Sequence, residues 1–545
     1  MTSTDTWHDV SRLDMSDTDS HHLESESETK EPETEYLTGT RLWLMLTSLV
    51  FSIFLIALDM TIVATSLPAI TNEFHGLKDA GWYGAIYLMT SGGFQSTWGK
   101  TYQYFPLKIS FLIAIFVFLG GSLLCGAAPN SAAFIVGRTI AGIGAAGVSS
   151  GAYTICAYIS EPSKRAAYTG ILGAVFGVGS VLGPLLGGVF STETSWRWCF
   201  YINLPIGVLP LLATVFFFQA PEAARPRQAP LREKLLQLDP PGTAVLMGAI
   251  LTYLVAVQHG GVDESWGSGL VVGLLEASVA LFFVFGLVEY WQGERAMIIP
   301  RLFLQREIGV ALFYTVFQGG ALFSIVYYLP IYFQAVRGDS PVISGVHNLP
   351  FIIAAMTSAL GAGIFISKTG LSTLVMVAGS AIATLGCGLC YLFGLDTSVG
   401  LWVGVQIVAG IGLGGAFQVP IIVGQSAVLA SDLPAITAMM LCFQTIGGAI
   451  WVSATQSVFT NRMLVSLPSL APGVGPTQVI SAGAGQLRSV FGSDQLPGVV
   501  AAYLEGIKAS YALACAVVGA SLFIAVFLPW QKLDAAALKQ AGGAL

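Results

Sequence analysis

The chain alternates between long apolar stretches and short polar connections along most of its length. Fourteen stretches are each about 18 to 29 residues long and almost free of charge, which is the length that a helix needs to cross a bilayer. The pattern therefore predicts an all-α integral membrane protein with fourteen transmembrane helices. The predicted spans are 42–69, 80–99, 107–128, 132–158, 166–191, 197–219, 241–258, 268–291, 307–334, 342–367, 371–394, 399–424, 433–459 and 509–530.

The composition agrees with a membrane protein. Of the 545 residues, 54% are hydrophobic and 10% are charged, whereas soluble domains carry about 25% charged residues. The seven cysteines all fall inside predicted spans. They are therefore expected to pack as small apolar residues and not to form a disulfide framework.

The negative charge is concentrated at the N-terminus. The formal net charge is −7, yet the first 40 residues hold eleven Asp and Glu against Arg12 and Lys30, so this segment carries −9 and the rest of the chain +2. Such a polar segment cannot bury enough apolar surface to fold. We predict a disordered cytosolic tail over residues 1–40. A solvating role is favoured, and a phosphorylated or partner-binding segment is the alternative.

The basic residues predict the orientation. With the N-terminus in the cytosol, 17 Lys and Arg lie on the cytosolic side, six lie outside and Arg138 lies within the membrane. Cytosolic loops are normally the richer in Lys and Arg. An even number of spans places both termini on the same side, so both are expected in the cytosol.

A short internal repeat divides the chain. Arg138-Thr-Ile-Ala-Gly142-Ile-Gly144 in span 4 matches Gln406-Ile-Val-Ala-Gly410-Ile-Gly412 in span 12 at an offset of 268, and Leu67-Pro68 matches Leu329-Pro330 at an offset of 262. The repeat predicts two six-helix pseudo-repeat halves that flank an inserted helix pair, spans 7 and 8. Duplicated halves usually build a secondary transporter whose site lies between them near the midplane.

This organisation sets the predicted segments. They are the tail 1–40, the N-terminal half 41–219, a cytosolic linker 220–240, the inserted pair 241–291, a second cytosolic linker 292–306, the C-terminal half 307–530 with an outside loop 460–508, and a cytosolic tail 531–545.

Three motifs of soluble proteins occur out of context. Gly142-Ile-Gly144-Ala-Ala-Gly147 fits the dinucleotide fingerprint, but it lies inside a predicted span with no strand before it, so helix packing through small residues is preferred. Gly99-Lys100-Thr101 lacks the first glycine of a P-loop, because residue 94 is Phe. Cys387-Gly-Leu-Cys390 has no further metal ligands beside it. We therefore expect no metal and no cofactor.

Two other classes of function are disfavoured. An integral membrane enzyme needs a cluster of His, Asp or Glu near a membrane face, whereas His75, His259 and His347 are each isolated. A receptor-like sensor usually brings a long cytosolic domain, whereas the predicted tails are about 40 and 15 residues long. Neither an enzymatic activity nor a nucleic-acid partner is expected.

Ionisable residues inside the spans are candidate functional positions, because a charge in hydrocarbon is costly. Asp59 lies about ten residues from the outer end of span 1 and Arg138 about six from the outer end of span 4. At 1.5 Å per residue their depths differ by about 6 Å, so an ion pair is feasible. Such a carboxylate can exchange protons as its solvation changes, and a purely structural pair is the alternative. The repeat places Ala321 and Gln406 at the equivalent positions.

Two more acids lie in the inserted pair. Glu276 in span 8 is expected to make a bundle-facing hydrogen bond, with a role in coupling as the alternative. Glu289 is at the cytosolic edge of the same span and is interpreted as a solvated end residue.

Span 5 carries an unusual strip of small residues. Gly179, Gly183 and Gly187 follow at intervals of four, with Pro184 and Gly188 beside them. Glycines at this spacing give one smooth helix face, and the proline lets the helix kink. A neighbouring helix can move against such a face.

Three motifs resemble those of a known family. The Gly-x-x-x-Gly-Pro-x-x-Gly-Gly pattern at 179–188 resembles the antiporter motif of the major facilitator superfamily, and Arg138-x-x-x-Gly142-x-Gly144 resembles its span-4 motif. Leu58-Asp59-Met-Thr61-Ile-Val63-Ala-Thr-Ser-Leu67-Pro68 resembles the span-1 signature of its fourteen-span drug:proton antiporters.

The resemblance covers nearly the whole chain after the tail. It includes Trp196-Arg-Trp198-Cys-Phe200-Tyr-Ile-Asn203-Leu-Pro205 and Tyr328-Leu-Pro330-Ile-Tyr-Phe-Gln334-Ala-Val-Arg337-Gly338, and its details are similar to fungal toxin-efflux pumps, the aflatoxin and HC-toxin exporter group. The loop from Gly99 to Lys108 departs from the pattern, because it lacks the Asp and the second Gly of the superfamily's usual loop motif. The gating salt bridge of that motif cannot be carried over.

Aromatic and amide side chains recur in spans that are expected to face the centre. This lining suits a bulky, weakly polar organic molecule better than a sugar or an ion. Packing or lipid-facing aromatics are the alternative. The candidate substrate-binding residues are Tyr87, Gln95, Phe317, Gln318, Phe417, Gln418, Phe443 and Gln444.

The residues and the resemblance together imply a proton-coupled exporter of a hydrophobic secondary metabolite, toxin or drug that works by alternating access. Asp59 and Arg138 are the expected coupling pair. The expected partners are this small molecule, protons and the lipid bilayer, and the expected state is a monomer in the plasma membrane. A vacuolar location, with a basic amino-acid permease or a siderophore carrier as the function, is the alternative.

Overall fold

The computed structural model describes residues 36–74, 80–530 and 532, so the tails predicted over 1–40 and 531–545 lie almost entirely outside the described residues. Within these ranges the backbone is almost all helical, and one isolated bridge joins Gly260 to Glu264. The α-helices are α1 (Gly39–Phe74), α2 (Ala80–Tyr104), α3 (Leu107–Gly126), α4 (Ser131–Ile159), α5 (Pro162–Glu193), α6 (Trp198–Tyr201), α7 (Asn203–Phe217), α8 (Leu231–Leu236), α9 (Pro240–His259), α10 (Gly269–Gln292), α11 (Pro300–Phe303), α12 (Arg306–Tyr332), α13 (Pro341–His347), α14 (Leu349–Thr369), α15 (Ser372–Cys390), α16 (Val399–Phe417), α17 (Val419–Ser426), α18 (Leu433–Leu470), α19 (Pro476–Val490) and α20 (Leu496–Val526).

The helices match the predicted spans. Thirteen helical segments in the described ranges are long and apolar enough to cross a membrane. The remaining predicted span, span 2, forms the 25-residue α2, which carries polar side chains such as Gln95, Lys100 and Gln103. The predicted all-α membrane architecture is confirmed.

Some helices differ from the predicted spans in extent. Span 12 is divided into α16 and α17, because Pro420 lies in the first turn of α17 and a proline favours the start of a helix over its continuation. The helix of span 13 runs on to Leu470 and that of span 14 begins at Leu496, so much of the predicted 460–508 loop is helical. Hydropathy marks the part of a helix that lies in lipid and does not register a polar extension beyond it.

The glycines of the internal repeat occupy equivalent crossings in the two halves. A Cβ placed on Gly144 of α4 would lie 2.2 Å from the backbone nitrogen of Phe118 in α3, and one on Gly412 of α16 would lie 2.1 Å from that of Ala383 in α15. Such distances leave no room for a side chain. These glycines therefore permit close helix contact, as small residues do between membrane helices.

The inserted pair, α9 and α10, lies beside the two halves. α10 packs on α9 through one face, on which Ser278 Oγ donates to the Ala249 carbonyl at 2.9 Å and Phe285 is buried. Glu276 lies on the exposed face of α10, so its interpretation as a bundle-facing residue is wrong. In a helix that is apolar all round, hydropathy gives the depth of a residue but not the direction in which it points.

The two halves meet closely at one end of the bundle. We call the end at which α1 begins the inner face and the opposite end the outer face. At the inner face, Tyr158 Oη donates to the Ala430 carbonyl at 2.8 Å, and the Ala167 amide donates to Ser367 Oγ at 3.1 Å. Each of these bonds joins the N-terminal half to the C-terminal half, so the bundle is closed at its inner face.

Candidate functional site

The structure brings together the two membrane-embedded charges that the sequence pairs. Arg138 Nη1 of α4 lies 2.6 Å from Asp59 Oδ2 of α1, and the two side chains are 1% and 0% exposed. Arg138 Nε also donates to the backbone carbonyl of Tyr83 at 3.1 Å. The guanidinium is thus fixed to α1 through a charge and to α2 through the backbone.

A third polar side chain, Asn203, completes the site and was not among the predicted site residues. Asn203 Nδ2 donates to Asp59 Oδ1 at 2.9 Å and to Ser122 Oγ at 3.2 Å. Asn203 is the first residue of α7, directly after the break from α6 at Ile202. It lies in the Trp196–Pro205 segment of the family resemblance, which was the one signal that could have pointed to it. Both carboxylate oxygens of Asp59 therefore accept a hydrogen bond, which offsets part of the cost of burying a charge.

Aromatic rings enclose the guanidinium. The Cζ atom of Arg138 lies 4.1 Å from the ring centroid of Tyr87 and 5.8 Å from that of Phe200, distances at which a cation is attracted to the ring face. Tyr87 was predicted to bind substrate. The structure places its ring against Arg138 and leaves its buried hydroxyl without a hydrogen-bond partner.

The glycine strip of α5 packs against the helix that carries Asp59. Cβ atoms placed on Gly179, Gly183 and Gly187 would lie 2.1 to 2.5 Å from side-chain atoms of α1. Thr61 Oγ1 of α1 donates to the Gly179 carbonyl at 3.3 Å. The glycine strip of α5 therefore packs closely against α1. Asp59 lies on α1 two residues before Thr61.

The other two residues of the antiporter-like motif make different contacts. A Cβ on Gly188 would lie 3.9 Å from Pro341 Cβ, which is ordinary van der Waals distance. Pro184 lies inside α5, where it has no amide to donate to the carbonyl of Ser180. It thereby weakens the helix next to the glycine strip.

Aromatic rings from both halves meet between α5, α12 and α16. The centroid of Phe176 lies 5.9 Å from that of Phe323 and 6.2 Å from that of Phe417, and the last two are 6.0 Å apart. Phe417 was among the predicted substrate-binding residues, whereas Phe176 and Phe323 were not. Nothing in the local sequence distinguishes them from packing residues.

A second aromatic pair lies on the neighbouring surface of α12. The rings of Phe317 and Trp451 are 5.5 Å apart, and the buried Nε1 of Trp451 has no hydrogen-bond partner. Tyr327, on the same helix, is 44% exposed.

Three of the predicted substrate-binding amides are bonded within a half. Gln95 Nε2 donates to Ser149 Oγ at 3.1 Å, and Gln444 Nε2 donates to the Phe417 carbonyl at 3.0 Å. Gln318 Nε2 donates to the Leu413 carbonyl at 3.3 Å, and its Oε1 accepts from Ser521 at 3.2 Å. These amides link neighbouring helices.

The remaining two candidates lie at contacts between elements. Gln418 of the C-terminal half lies against Gly173 of α5, where a Cβ would be 2.4 Å from its Cγ, and its buried Oε1 has no hydrogen-bond partner. Phe443 packs its ring against Phe303 of α11 at 6.3 Å, towards the inner face. Gln418 therefore stays a candidate for binding substrate between the two halves. Phe443 packs closer to the inner face.

A carboxylate at the inner face joins several segments. Asp432, just before α18, is 4% exposed in its side chain and lies 2.9 Å from Arg227 Nη2 and 3.0 Å from Arg301 Nη2. Gln103 Nε2 of α2 donates to the same carboxylate at 3.3 Å and to the Ser431 carbonyl at 2.8 Å. Asp432 thus holds α2 and both linkers of the inserted pair to the C-terminal half.

The segment from Gly99 to Lys108, which departs from the superfamily pattern, also contributes contacts at the inner face. Gln103 lies in that segment, which the structure shows as the last turn of α2, and its acidic partner Asp432 comes from the C-terminal half. Lys108 Nζ donates to the backbone carbonyls of Val215 and Phe218 at 2.8 and 2.9 Å. Lys108, one of the two basic residues in this segment, therefore ties α3 to the end of α7.

No three His, Cys, Asp or Glu side chains of the described residues form a group that could hold a metal ion. The cysteines found in predicted spans are free, including Cys387 and Cys390, which are buried.

Comparison with known proteins identifies the family. The model of the Major Facilitator Superfamily matches residues 49–452. The chain is 44% identical over 503 residues to the MFS-type transporter grgE of a Penicillium species, which covers 92% of this chain and 89% of that protein. It is 44% identical over 510 residues to the probable efflux pump gsfJ of Penicillium aethiopicum, with 93% and 91% covered.

Solved structures show the same fold. The human organic anion transporter MFSD10 superimposes with a TM-score of 0.59 and 14% identity, over 90% of this chain and 100% of that chain. The predicted resemblance is confirmed: the chain belongs to the Major Facilitator Superfamily and is a multi-pass membrane transporter.

Proposed function

We propose that the protein exports a hydrophobic small molecule in exchange for protons, by alternating access. The observation that carries the proposal is the buried Asp59 carboxylate, bound by Arg138 and Asn203 where α1, α4 and α7 meet. A charge within a membrane span is costly, so ionisable residues there are rare, are paired with other groups and commonly mark ion or substrate pathways. No covalent step, metal or cofactor is needed, and the proton gradient supplies the energy.

Protonation of Asp59 changes the forces between three helices at once. It removes the charge that Arg138 Nη1 faces at 2.6 Å and weakens the bond from Asn203. The Arg138 guanidinium would keep its bond to the Tyr83 carbonyl and its contact with the Tyr87 ring. α1 is then held less firmly to α4 and can move along the glycine strip of α5.

The aromatic surfaces between the halves support a bulky, weakly polar substrate. Rings bury large apolar areas, and the unpaired Trp451 Nε1 and Gln418 Oε1 offer one donor and one acceptor to a bound molecule. The relatives are named MFS-type transporter and probable efflux pump. We infer a hydrophobic secondary metabolite, toxin or drug as the substrate class.

The inner face corresponds to the cytosol in this proposal. The distribution of Lys and Arg supports a cytosolic position for both termini, and we propose a monomer in the plasma membrane. The contacts of Asp432 and Tyr158 close the inner face, so under this orientation the proposed substrate site would be shut off from the cytosol.

The proposed function is tested by efflux from cells that express the full-length protein. Fungal toxins and fluorescent drugs are loaded together with arginine and a ferric siderophore, with and without an uncoupler. The wild type is expected to extrude one or more hydrophobic compounds, the uncoupler to stop this, and Asp59→Asn to abolish it. Glu276→Gln is the matched control. It also removes an acid from a membrane helix, but Glu276 lies on the exposed face of α10.

Two results would contradict the proposal. If efflux persists with the uncoupler or in Asp59→Asn, the coupling role of Asp59 is wrong. If arginine or the siderophore is the compound moved, the substrate class is wrong even where proton dependence holds.

A further inference from the structure

The inner end of the inserted pair contains a buried acid at a strained position. Asp239, the residue before α9, has φ = +51°, a left-handed conformation that residues with a side chain rarely adopt, and it is 0% exposed. Its Oδ1 accepts from the Gly242 amide at 2.8 Å and from Gln292 Nε2. Its Oδ2 accepts from the Met297 amide at 2.9 Å. Both oxygens therefore have donors.

The second acid is Glu289 of α10, which is 5% exposed. Its interpretation as a solvated end residue is wrong, because α9 and the segment after α10 cover it. Glu289 Oε2 accepts from the Ile298 amide at 2.6 Å, whereas the buried Oε1 has no hydrogen-bond partner. An ionised carboxylate buried with one oxygen unpaired is costly.

The unpaired oxygen faces the other acid. A Cβ placed on Gly242 would lie 2.2 Å from Asp239 Oδ2 and 2.4 Å from Glu289 Oε1, so the two oxygens flank the same point and lie close together. Two carboxylates that share a buried site do not both ionise readily. A proton between them removes the repulsion and gives Glu289 Oε1 its missing bond.

One basic residue of the N-terminal half balances the pair. Lys100 of α2 is 1% exposed. It donates to the Glu294 carbonyl and to Gln237 Oε1, the latter at 3.3 Å. It interacts electrostatically with both Asp239 and Glu289. One shared negative charge and Lys100 together are neutral, whereas two negative charges would leave an uncompensated charge in a buried place.

The other titratable and charged groups around the pair are already engaged. Glu294 pairs with Arg301 at 2.9 Å, and Arg227 pairs with Asp432 at 2.9 Å. The thiol of Cys442 in α18 lies in the same region, since Cys442 packs in one cluster with Phe285 and Met297, and it is 0% exposed.

We propose that Asp239 and Glu289 form a second proton-binding site, in which a proton held on Glu289 Oε1 is donated to Asp239 Oδ2. The site is separate from Asp59 and joins the inserted pair to α2. Under the proposed alternating access, α2 moves away from α18 when the inner face opens and carries Lys100 with it. Loss of this positive charge strengthens proton binding by the pair, so the inserted pair takes part in proton movement.

Infrared spectroscopy of the purified full-length protein tests the site without any transport assay. At neutral pH the wild type is expected to show the carbonyl band of a protonated carboxylic acid, and Glu289→Gln is expected to lose it. Glutamine keeps a donor towards Asp239, so the fold is expected to survive. Glu264→Gln, an exposed acid in the turn between α9 and α10, is the matched control and should keep the band.

Two further variants give shifts of opposite sign in the pH at which the band disappears. Asp239→Asn removes the neighbouring negative charge and is expected to lower that pH, whereas Lys100→Gln removes the positive charge and is expected to raise it. A band that is absent in the wild type, or that survives in folded Glu289→Gln, overturns the proposal. If Glu289→Gln does not fold, a band that fails to move in both other variants overturns it. Because no substrate is involved, these results are independent of whether the protein exports one.

Discussion

Gln406 Nε2 donates to the backbone carbonyl of His347 at 3.0 Å, and this bond repeats in the C-terminal half the 3.1 Å bond from Arg138 Nε to the carbonyl of Tyr83. Positions 406 and 138 are equivalent in the internal repeat. The two halves therefore share an anchor between a long polar side chain and a backbone carbonyl. The ion pair is present only at the N-terminal copy, because the residue equivalent to Asp59 is Ala321.

This equivalence predicts what happens when the residues at positions 59 and 138 are replaced by those found at the equivalent positions of the C-terminal half. Arg138→Gln leaves the Asp59 carboxylate buried with Asn203 as its remaining donor, and breaking a buried ion pair costs about 3–5 kcal/mol. Adding Asp59→Ala reproduces the residues of the C-terminal half and removes the unpaired charge. We expect the double variant to regain most of the lost unfolding free energy while proton-driven efflux stays absent.

Chemical unfolding of the purified variants, measured beside efflux, checks this prediction. Asp59→Ala alone leaves Arg138 unpaired and should be less stable than the double variant. If the double variant is as unstable as Arg138→Gln, then the fold itself requires the ion pair. If the double variant still exports a substrate in the presence of an uncoupler, then the ion pair does not couple export to protons.

The glycine strip of α5 is expected to be sensitive at Gly183. A Cβ there would lie 2.1 Å from Thr61 Oγ1 and 3.0 Å from the backbone nitrogen of Ile62. Gly183→Ala is therefore expected to destabilise the protein by about 1–3 kcal/mol, as overpacking does, and to reduce efflux. Gly188→Ala is the control, because its Cβ would meet Pro341 at 3.9 Å. Equal efflux and stability in the two variants would show that α1 and α5 are not held at this distance.

The closure of the inner face is expected to depend on Asp432. Asp432→Asn removes the charge that Arg227 and Arg301 share, and hydrogen bonds to charged groups contribute about 1.5–3 kcal/mol. Since both arginines are partly exposed, we expect the lower end of this range, or roughly a tenfold shift towards the state that is open at the inner face.

Distances between spin labels at Lys164 and Leu429 measure this shift, because both positions are at the inner face on opposite halves. The population with a long distance should rise in Asp432→Asn. Glu222→Gln, which breaks the exposed pair with Arg225, should leave the distribution unchanged, since exposed ion pairs contribute little. An unchanged distribution in Asp432→Asn would mean that the carboxylate does not hold the inner face closed.

Apolar patterning predicts depth well and direction poorly. The depths of Asp59 and Arg138 follow from counting residues along two spans, and the structure shows their carboxylate and guanidinium in contact. Glu276 and Glu289 lie on one helix, and the sequence interpretation had each of them reversed: Glu276 is exposed and Glu289 is buried. Around α10 nearly every residue is apolar, so no polar face marks the side that meets α9.

Asn203 was missed for a related reason. Its position depends on the break between α6 and α7, and an amide at a helix start carries no signal of what it contacts. Gln95, Gln318 and Gln444 were predicted to contact a substrate, and this stays a prediction. In the structure each amide nitrogen donates to a neighbouring helix. In a membrane interior an amide finds a partner wherever one is near.

The outer face contains an acid whose ionisation is linked to stability. The pKa of Glu73 is lowered, first by the hydrogen bond from Trp196 Nε1 at 2.7 Å and also by Arg197, against the effect of desolvation. A lowered folded-state pKa gives stability that is present above the unfolded-state pKa of about 4.3 and is lost as the pH falls below it. Because the Glu73 side chain is 47% exposed, we expect a loss below about 1 kcal/mol.

Thermal unfolding between neutral and acidic pH checks the role of Glu73. The difference between the wild type and Glu73→Gln should shrink as the pH falls, since both then lack the charge. Glu505→Gln, which removes another partly exposed and paired acid at the outer side, should retain the acid-dependent loss of the wild type. A constant difference between the wild type and Glu73→Gln at all pH values would contradict the linkage.

The unpaired indole of Trp451 predicts how the substrate is held. Its ring lies against Phe317 and its buried Nε1 has no partner, so an oxygen of a bound molecule would satisfy it. Trp451→Phe keeps the apolar ring and removes the donor. Because a hydrogen bond contributes about 1 kcal/mol, the KM for an oxygen-bearing substrate should rise roughly fivefold while the KM for a hydrocarbon-like substrate stays the same.

The control is Trp402→Phe, which removes another buried, unpaired Nε1. The Trp402 ring packs against Phe333 and His347, so neither KM should change. Equal effects of the two substitutions would place the substrate away from α12 and α18.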